Sequence, residues 1–226
     1  GDVIIPQSVF YEGENYIIKS LGYQVFNFNK KVKSVSFPEN SEVESFGDYL
    51  FSASNLTKIQ IPASVKSLGI CMFMCTDSHI EFDISPQNSM IAYIEDNYLV
   101  AKSQESSPTY DILYYARKNI EEALIPSGIK ILKDHSFAQH RMLNSIVFPE
   151  DSELECIEDG AFRETPINKL VLPSKLKSKL DVIYTPKLVH IEISPNNKIF
   201  KSIDNKLLYM KSSPESPEFD IFVFAA

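Results

Sequence analysis

The sequence has few of the residues that most binding and catalytic motifs require. Seven glycines in 226 residues leave no glycine-rich phosphate loop, and three unevenly spaced cysteines are too few for a disulfide framework. No apolar run reaches the length of about 18 residues that a transmembrane helix needs. Lys and Arg number 22 against 30 Asp and Glu. The net charge of −8 therefore argues against nucleic acid or an anionic membrane as the main partner.

Catalytic and metal-binding patterns are also missing. The chain contains no HExxH, G-x-S-x-G, P-loop or paired-carboxylate pattern, and its four histidines show no ligand spacing. Asp96-Asn97 and Asp204-Asn205 are typical of hydrogen-bonded turns, which we favour over a calcium site. We therefore predict that the protein is not an enzyme and has no catalytic residues, no cofactor and no metal ion.

Prolines, in contrast, recur at regular intervals. Eight of the thirteen close a short apolar run, and successive spacings between them are 32, 24, 24, 40, 23, 24 and 22 residues. Proline has no N–H group and ends a strand at a fixed point. A unit of about 23 residues falls within the range of leucine-rich repeats. These prolines are Pro6, Pro38, Pro62, Pro86, Pro126, Pro149, Pro173 and Pro195.

Each of these prolines follows a predicted strand in which apolar residues alternate, as Leu56, Ile59 and Ile61 do. A phenylalanine follows in most units, and the segments 47–54 and 159–164 are long enough only for a helical turn. The pattern predicts a right-handed leucine-rich-repeat solenoid, mainly β, with a parallel concave sheet and short helical or 3-10 turns on the convex side. The predicted strand slots are Val3–Ile5, Val32–Phe37, Leu56–Ile61, His79–Ile84, Ile120–Ile125, Leu143–Phe148, Ile167–Leu172 and Leu188–Ile193.

A longer period is superimposed on the first. Phe26 recurs as Phe137 at an offset of 111, and Pro86 recurs as Pro195 at an offset of 109. We therefore predict a single domain over residues 1–226 that consists of two tandem super-repeats, about 17–116 and 128–226. Each ends in an inserted β-hairpin, formed by 97–102 with 110–115 and by 206–211 with 219–224, and a smaller excursion occupies 8–16.

The residues Leu56–Cys75, with Pro62, Ser64-Val65, Leu68-Gly69 and Phe73, closely resemble the repeat of the BspA-like leucine-rich-repeat family. The pairing of an I-S-P-x-N segment with a later hairpin is similar to that family too. The resemblance covers nearly the whole chain and implies a surface or secreted protein that adheres to host or neighbouring-cell proteins without enzymatic activity.

The concave face is where solenoids normally bind, because its outward side chains are not needed for the core. Leu124, Val147 and Val171 are predicted to form an exposed apolar stripe there, with Glu122, Lys169 and His190 beside it. Such a stripe suggests a protein interface. The alternatives are that β-branched residues simply favour strands, or that a hairpin folds over them.

Other candidate sites are weaker. The tyrosines of the first hairpin, at 98, 110, 114 and 115, either form an interface or pack the hairpin onto its coil. Asn55-Leu56-Thr57 is a glycosylation sequon, which makes Asn55 a candidate for a glycan. Cys71, Cys75 and Cys156 are interpreted as buried thiols, with a metal or disulfide role left open.

We predict that the chain is a non-enzymatic protein-binding module of a cell-surface or secreted adhesin-like protein, with the ligand on the concave sheet. The expected partner is an extracellular or host-cell protein; we expect neither nucleic acid nor membrane insertion. A structural scaffold that self-associates through exposed terminal coils is the alternative. The first residues, Gly1-Asp2-Val3, lack a signal peptide, and we expect the chain to be part of a longer protein.

Overall fold

A computed structural model describes residues 1–76, 79–180 and 184–225. The chain divides into two compact units. Unit 1 comprises Gly1–Tyr110 with Tyr114–Arg117, and unit 2 comprises Asp111–Leu113 with Lys118–Ala226. Each unit is a stack of β-coils, so the predicted leucine-rich-repeat solenoid class is confirmed.

In unit 1 the concave strands pair in parallel from one coil to the next, in the order β1 (Asp2–Ile4), β5 (Ser34–Ser36), β7 (Lys58–Ile61) and β8 (Glu81–Ile84). Their registers place Val3 opposite Val35 and Ile59 opposite Phe82. A second, shorter ladder joins β4 to β6. The strands are β1 (Asp2–Ile4), β2 (Ser8–Tyr11), β3 (Glu14–Ile17), β4 (Ser20–Leu21), β5 (Ser34–Ser36), β6 (Ser45–Phe46), β7 (Lys58–Ile61), β8 (Glu81–Ile84), β9 (Ile91–Ile94) and β10 (Tyr98–Ala101).

Next in the chain, β11 (Ile112–Ala116) begins in unit 2 and ends in unit 1. Within unit 2, β12 pairs with β14, β16 with β17, and β13 with both β15 and the first residues of β11, all in parallel. The strands are β12 (Glu122–Leu124), β13 (Ile131–Leu132), β14 (Ser145–Val147), β15 (Cys156–Ile157), β16 (Lys169–Leu172), β17 (His190–Ile193), β18 (Phe200–Ile203), β19 (Leu207–Met210) and β20 (Ile221–Ala225). All eight predicted strand slots contain a strand.

The core of each unit follows from the alternation along these strands. Inward residues such as Ile59 in unit 1 and Leu170 in unit 2 are fully buried, and the following proline ends the strand. Phe51 stacks between Phe26 and Phe73 at centroid distances of 5.5 and 5.9 Å, which makes a column of aromatic rings through unit 1. Burial of these large rings stabilises the coils, together with that of the aliphatic strand residues.

The convex segments differ from the prediction, because the described residues there form turns rather than helix. In each of several coils, two residues four apart adopt positive φ on either side of the core phenylalanine, as Tyr49 (55°) and Ala53 (52°) flank Phe51. This left-handed conformation interrupts helical hydrogen bonding. It also turns N–H groups toward the next coil, where Tyr49 N donates to Ile70 O at 2.9 Å and Ala53 N to Met74 O at 2.7 Å.

Asn88 and Asn197, of the two I-S-P-x-N segments, tie adjacent coils together. The side-chain nitrogen of Asn88 donates to the carbonyl oxygens of Pro62 and Val65 at 2.8 and 2.9 Å, and its oxygen accepts from two backbone N–H groups. Asn197 makes the same four bonds in unit 2. Each asparagine amide thus donates two hydrogen bonds from its nitrogen and accepts two at its oxygen, which uses its full hydrogen-bonding capacity.

Hairpins interrupt the coils where the period lengthens. In unit 2, β18, β19 and β20 form an antiparallel sheet, with Met210 opposite Ile221, as the predicted hairpin requires. In unit 1, β10 pairs with β9, a strand that the sequence analysis did not predict. The excursion over 8–16 is the antiparallel hairpin of β2 and β3, with positive φ at Glu12 and Gly13 in its turn.

Candidate protein-binding surface

The predicted apolar stripe lies on the concave sheet of unit 2. Leu124 of β12 stands directly opposite Val147 of β14, and Val171 belongs to β16, which lies beside β14. Their exposed fractions are 55%, 40% and 37%. Each of the three follows a buried residue in its strand, so the alternation that builds the core also directs these side chains outward. We call Leu124, Val147 and Val171 the concave stripe.

A charged cluster borders one end of the concave stripe. Glu192 lies opposite Val171 in the register of β16 and β17, and its Oε1 accepts from Lys169 Nζ at 2.8 Å and from His190 Nε2 at 3.1 Å. The bond from Lys169, followed by that from His190, holds the pKa of Glu192 below its ordinary value. At the other end, Glu122 accepts a hydrogen bond from Ser145 Oγ at 3.0 Å.

The structure therefore places the six predicted residues on four neighbouring strands, which form the two-stranded sheets β12-β14 and β16-β17, and Glu122 and His190 lie on the two outermost of these strands. Glu192 joins Lys169 to His190, and it was not among the predicted site residues. In the sequence, Glu192 occupies the same outward position of its strand as Val171 does in the preceding strand, and this position could have identified it. Since opposite charges already neutralise one another here, the cluster presents hydrogen-bonding groups more than net charge.

A groove of about 340 Å³ adjoins Val171, at the ends of the concave strands. From the sequence, the prolines at this edge were predicted only to end strands. Because they recur at each coil, they also line up side by side and form the walls of the groove. Its apolar lining comprises Phe148, Pro149, Val171, Leu172, Pro173 and Pro195.

Unit 1 has a groove at the equivalent positions, with a volume of about 300 Å³. It is lined by Pro38, Pro62 and Pro86, which correspond to Pro149, Pro173 and Pro195 of unit 2. However, Gln60 takes the place of Val171, and Asp83 that of Glu192. The two grooves therefore have similar positions and mixed polar and apolar linings, and they differ at the position of Val171, which is apolar in unit 2 and polar in unit 1.

The hairpin tyrosines do not form an exposed patch in unit 1. Tyr98 and Tyr115 are only 2% and 3% exposed, and Tyr110 and Tyr114 are half-buried. Tyr115 packs edge-on against Phe73 and Phe82 with centroids 5.4 and 5.5 Å apart, and burial raises the pKa of its hydroxyl. These side chains pack the hairpin onto its coil.

The remaining candidates lie outside the concave stripe. Asn55 is half-buried, and its Nδ2, to which a glycan would be attached, donates to Lys30 O at 3.1 Å; glycosylation of Asn55 stays a prediction. Cys71 and Cys75 occupy two of the positive-φ positions, and burial raises the pKa of the half-buried Cys156 thiol. Within the described ranges, the three cysteines form no disulfide.

Two features are absent from the described residues. No group of three or more His, Cys, Asp or Glu side chains is arranged to hold a metal ion. In the same part of the chain there is no helix of sufficient length and hydrophobicity to span a bilayer.

Three solved structures share the fold. The pneumococcal vaccine antigen PcpA has 22% sequence identity and a TM-score of 0.62 over 89% of this chain. A leucine-rich repeat protein from Eubacterium ventriosum has 20% identity and a TM-score of 0.61 over 80% of this chain. A leucine-rich cell surface protein from Faecalibacterium prausnitzii has 21% identity and a TM-score of 0.50 over 94% of it. The matched part is 52% of each of those chains, so this chain spans about half their length.

At these identities the three structures establish the fold alone. No curated protein matches the chain. A family model does match, in six copies that cover residues 5–103 and 110–217, and it describes the BspA-type leucine-rich repeat region. The chain belongs to the BspA-type leucine-rich repeat family.

Proposed function

We propose that the chain is a non-enzymatic protein-binding module of a cell-surface or secreted adhesin-like protein, and that it binds an extracellular protein on the concave sheet of unit 2. The concave stripe and the adjoining groove form the contact. The observation that carries the proposal is the exposure of Leu124, Val147 and Val171 side by side on adjacent strands.

Unit 1 shows that the fold does not need valine at two of these three positions. Ser36 stands where unit 2 has Val147, and Gln60 where it has Val171, yet β5 and β7 form and pair in parallel. Strand propensity alone therefore does not account for valine at the two positions in unit 2. Contiguous exposed apolar side chains beside a groove are typical of a surface that another protein covers.

Placement at the cell surface is supported by the family and by one structural neighbour. The Faecalibacterium prausnitzii protein is itself described as a cell surface protein, and PcpA as a vaccine antigen. Both resemble this chain in fold at about one-fifth identity, so localisation remains part of the proposal.

The experiment measures binding of the 226-residue chain to an array of purified extracellular-matrix and cell-surface proteins by biolayer interferometry. Val147→Ser and Val171→Gln install the residues that unit 1 has at these positions. For any protein that binds saturably, we expect the double variant to weaken binding at least about 30-fold, since buried apolar anchors typically contribute about 1 kcal/mol or more each.

The matched control is Ser36→Val with Gln60→Val, which leaves unit 2 unchanged and should leave the affinity unchanged. Equal binding by the wild type and the Val147→Ser, Val171→Gln variant, with both folded by circular dichroism, would rule out the concave stripe as the contact. If the wild type binds no member of the array, the adhesin proposal loses its support.

A further inference from the structure

The groove of unit 1 combines apolar walls with negative charge. Three prolines form its walls, namely Pro38, Pro62 and Pro86. Among the described residues, Glu39 and Asp83 are the only charged side chains that line it. We propose that this groove binds an arginine side chain on an extended segment of a partner protein. The site is separate from the concave stripe and does not depend on it.

The two carboxylates lie on the first and third of three successive coils. Glu39 follows β5, Asp83 belongs to β8, and β7 pairs with both of these strands. Gln60 of β7 stands directly opposite Asp83, and its Oε1 accepts a hydrogen bond from Phe37 N at 2.8 Å. A ligand that lies across the middle coil can therefore meet a negative charge on each side.

Asp83 has no ion-pair partner because Lys58 bonds to Glu81 instead. Lys58 Nζ lies 2.6 Å from Glu81 Oε1. This bond contributes most to holding the pKa of Lys58 above its ordinary value, and the charge of Asp83 contributes less. In the part of the chain that the structure describes, Glu39 makes no ion pair either. Both carboxylates of the groove are therefore available to a ligand.

Unit 2 shows the alternative arrangement. The counterparts of Lys58, Glu81 and Asp83 are Lys169, His190 and Glu192, in that order. In unit 2 the lysine and the histidine both bond to the carboxylate of Glu192. Glutamate in place of the histidine gives the lysine another partner and leaves the groove carboxylate of unit 1 unpaired. With Glu39 and its counterpart Glu150 included, the four positions carry a net charge of −2 in unit 1 and −1 in unit 2, histidine being neutral.

An arginine side chain fits these features. Its aliphatic stem packs along apolar surface, here the prolines, while its head group stays with polar atoms. The guanidinium has five N–H donors in one plane and is more weakly hydrated than an ammonium group, so it can meet carboxylates on both sides. A volume of about 300 Å³ is at the lower limit of ligand pockets, which suits one side chain and its flanking backbone.

NMR chemical-shift titration of the isotope-labelled 226-residue chain tests the proposal. The probe is the capped peptide acetyl-Pro-Pro-Arg-Pro-Pro-amide, whose prolines keep it extended. The matched control peptide has citrulline, which is uncharged and similar in shape, in place of arginine. We expect the arginine peptide to shift the amide resonances of Gln60, Ala63 and Ser85, and to bind at least about tenfold more tightly than the citrulline peptide.

Variants of exposed residues identify the groups that bind the peptide. Asp83→Asn and Glu39→Gln should each weaken binding of the arginine peptide about fivefold, the effect of one exposed ion pair. Glu81→His reproduces the arrangement of unit 2 and should weaken it similarly, since Lys58 then bonds to Asp83. Glu44→Gln removes the same charge from an exposed residue that does not line the groove, and it should leave the affinity unchanged.

The variant Val147→Ser, Val171→Gln should bind the arginine peptide as the wild type does, which separates this site from the concave stripe. An arginine peptide that binds no more tightly than the citrulline peptide would overturn the proposal. So would shifts confined to residues outside the groove, or equal weakening by Asp83→Asn and Glu44→Gln.

Discussion

A Cβ atom added to Gly69 would lie 2.3 Å from the carbonyl carbon of Gly47 in the neighbouring coil. Real Cβ atoms do not approach backbone atoms so closely, and backbone cannot move aside as a flexible side chain can. Gly47 in turn would place a Cβ 2.6 Å from the backbone of Gly22. In this part of unit 1 the spacing between coils therefore depends on glycine.

We predict that Gly69→Ala lowers the free energy of unfolding by about 2 kcal/mol, because the added methyl group forces adjacent coils apart. Urea denaturation followed by circular dichroism measures the change. Gly22→Ala is the control, since its Cβ would meet only a Val25 methyl group at 3.9 Å. Equal stabilities of the two variants would contradict the close approach.

Asn88→Asp should destabilise unit 1 by about 3 kcal/mol. The aspartate has no N–H groups for Pro62 O and Val65 O, and it would place a carboxylate against two carbonyl oxygens at a buried position. Gln87→Glu makes the same amide-to-acid change at the exposed neighbouring residue and should have little effect. Urea denaturation followed by circular dichroism measures the loss; an Asn88→Asp variant as stable as the wild type would contradict the prediction.

Asp134 of unit 2 should make stability depend on pH in a sense opposite to that of most carboxylates. Burial, followed by the nearby Glu158, raises its pKa above the ordinary value of 3.8. The folded state therefore binds this proton more tightly than the unfolded state, so stability falls as pH rises from about 3.8 through the raised pKa and then levels off. Asp134→Asn removes the charge and should increase stability at neutral pH.

The gain from Asp134→Asn should vanish below about pH 3, where the wild-type carboxyl is protonated in both the folded and the unfolded state. Urea midpoints of the two proteins across this range measure it. Asp151→Asn, at an exposed residue of unit 2, controls for a general change in net charge. A gain that persisted at low pH would show that the effect is not electrostatic.

The β2–β3 hairpin should be dispensable for folding. Unit 2 joins Pro126 to Ile129 through Ser127 and Gly128, whereas unit 1 joins Pro6 to Ile18 through residues 7–17. The hairpin side chains are largely exposed, with Phe10 at 73% and Tyr11 at 61%. Replacing 7–17 by Ser-Gly should change the free energy of unfolding by less than about 1 kcal/mol, because an isolated two-stranded hairpin adds little stability. A loss of several kcal/mol in urea denaturation would show that the hairpin supports the coil.

The sequence was sufficient to predict the fold class and the eight concave strands, because proline and alternation act locally and mark each strand end. His79 was an exception, since it is exposed and Ile80 takes the core position. Turns were predicted on the convex side, but the positive φ of residues such as Tyr49 was not, because it accompanies bonds to the next coil. Likewise, β9 was not predicted. In the structure, Glu95 and Asp96 adopt positive φ and form the hairpin turn that joins β9 to β10.

The surface was predictable to a smaller extent. Outward positions follow from strand alternation, so the exposure of Val147 and Val171 could be derived from the sequence. The groove and the position of Glu192 between Lys169 and His190 depend on which strands are neighbours and on side-chain conformation. A single sequence does not fix these, and it contains no direct information on the partner.

The parallel pairing of β1, β5, β7 and β8 also determines how unit 1 responds to a mechanical load. The hydrogen bonds of this sheet run from coil to coil, so tension applied along the stack acts on the bonds of one coil at a time. The coil from Pro38 to Pro62 contains 24 residues and would release about 80 Å of extended chain when it detaches. Unit 1 is therefore expected to unfold one coil at a time under force and to lengthen in small steps, instead of unfolding in a single event.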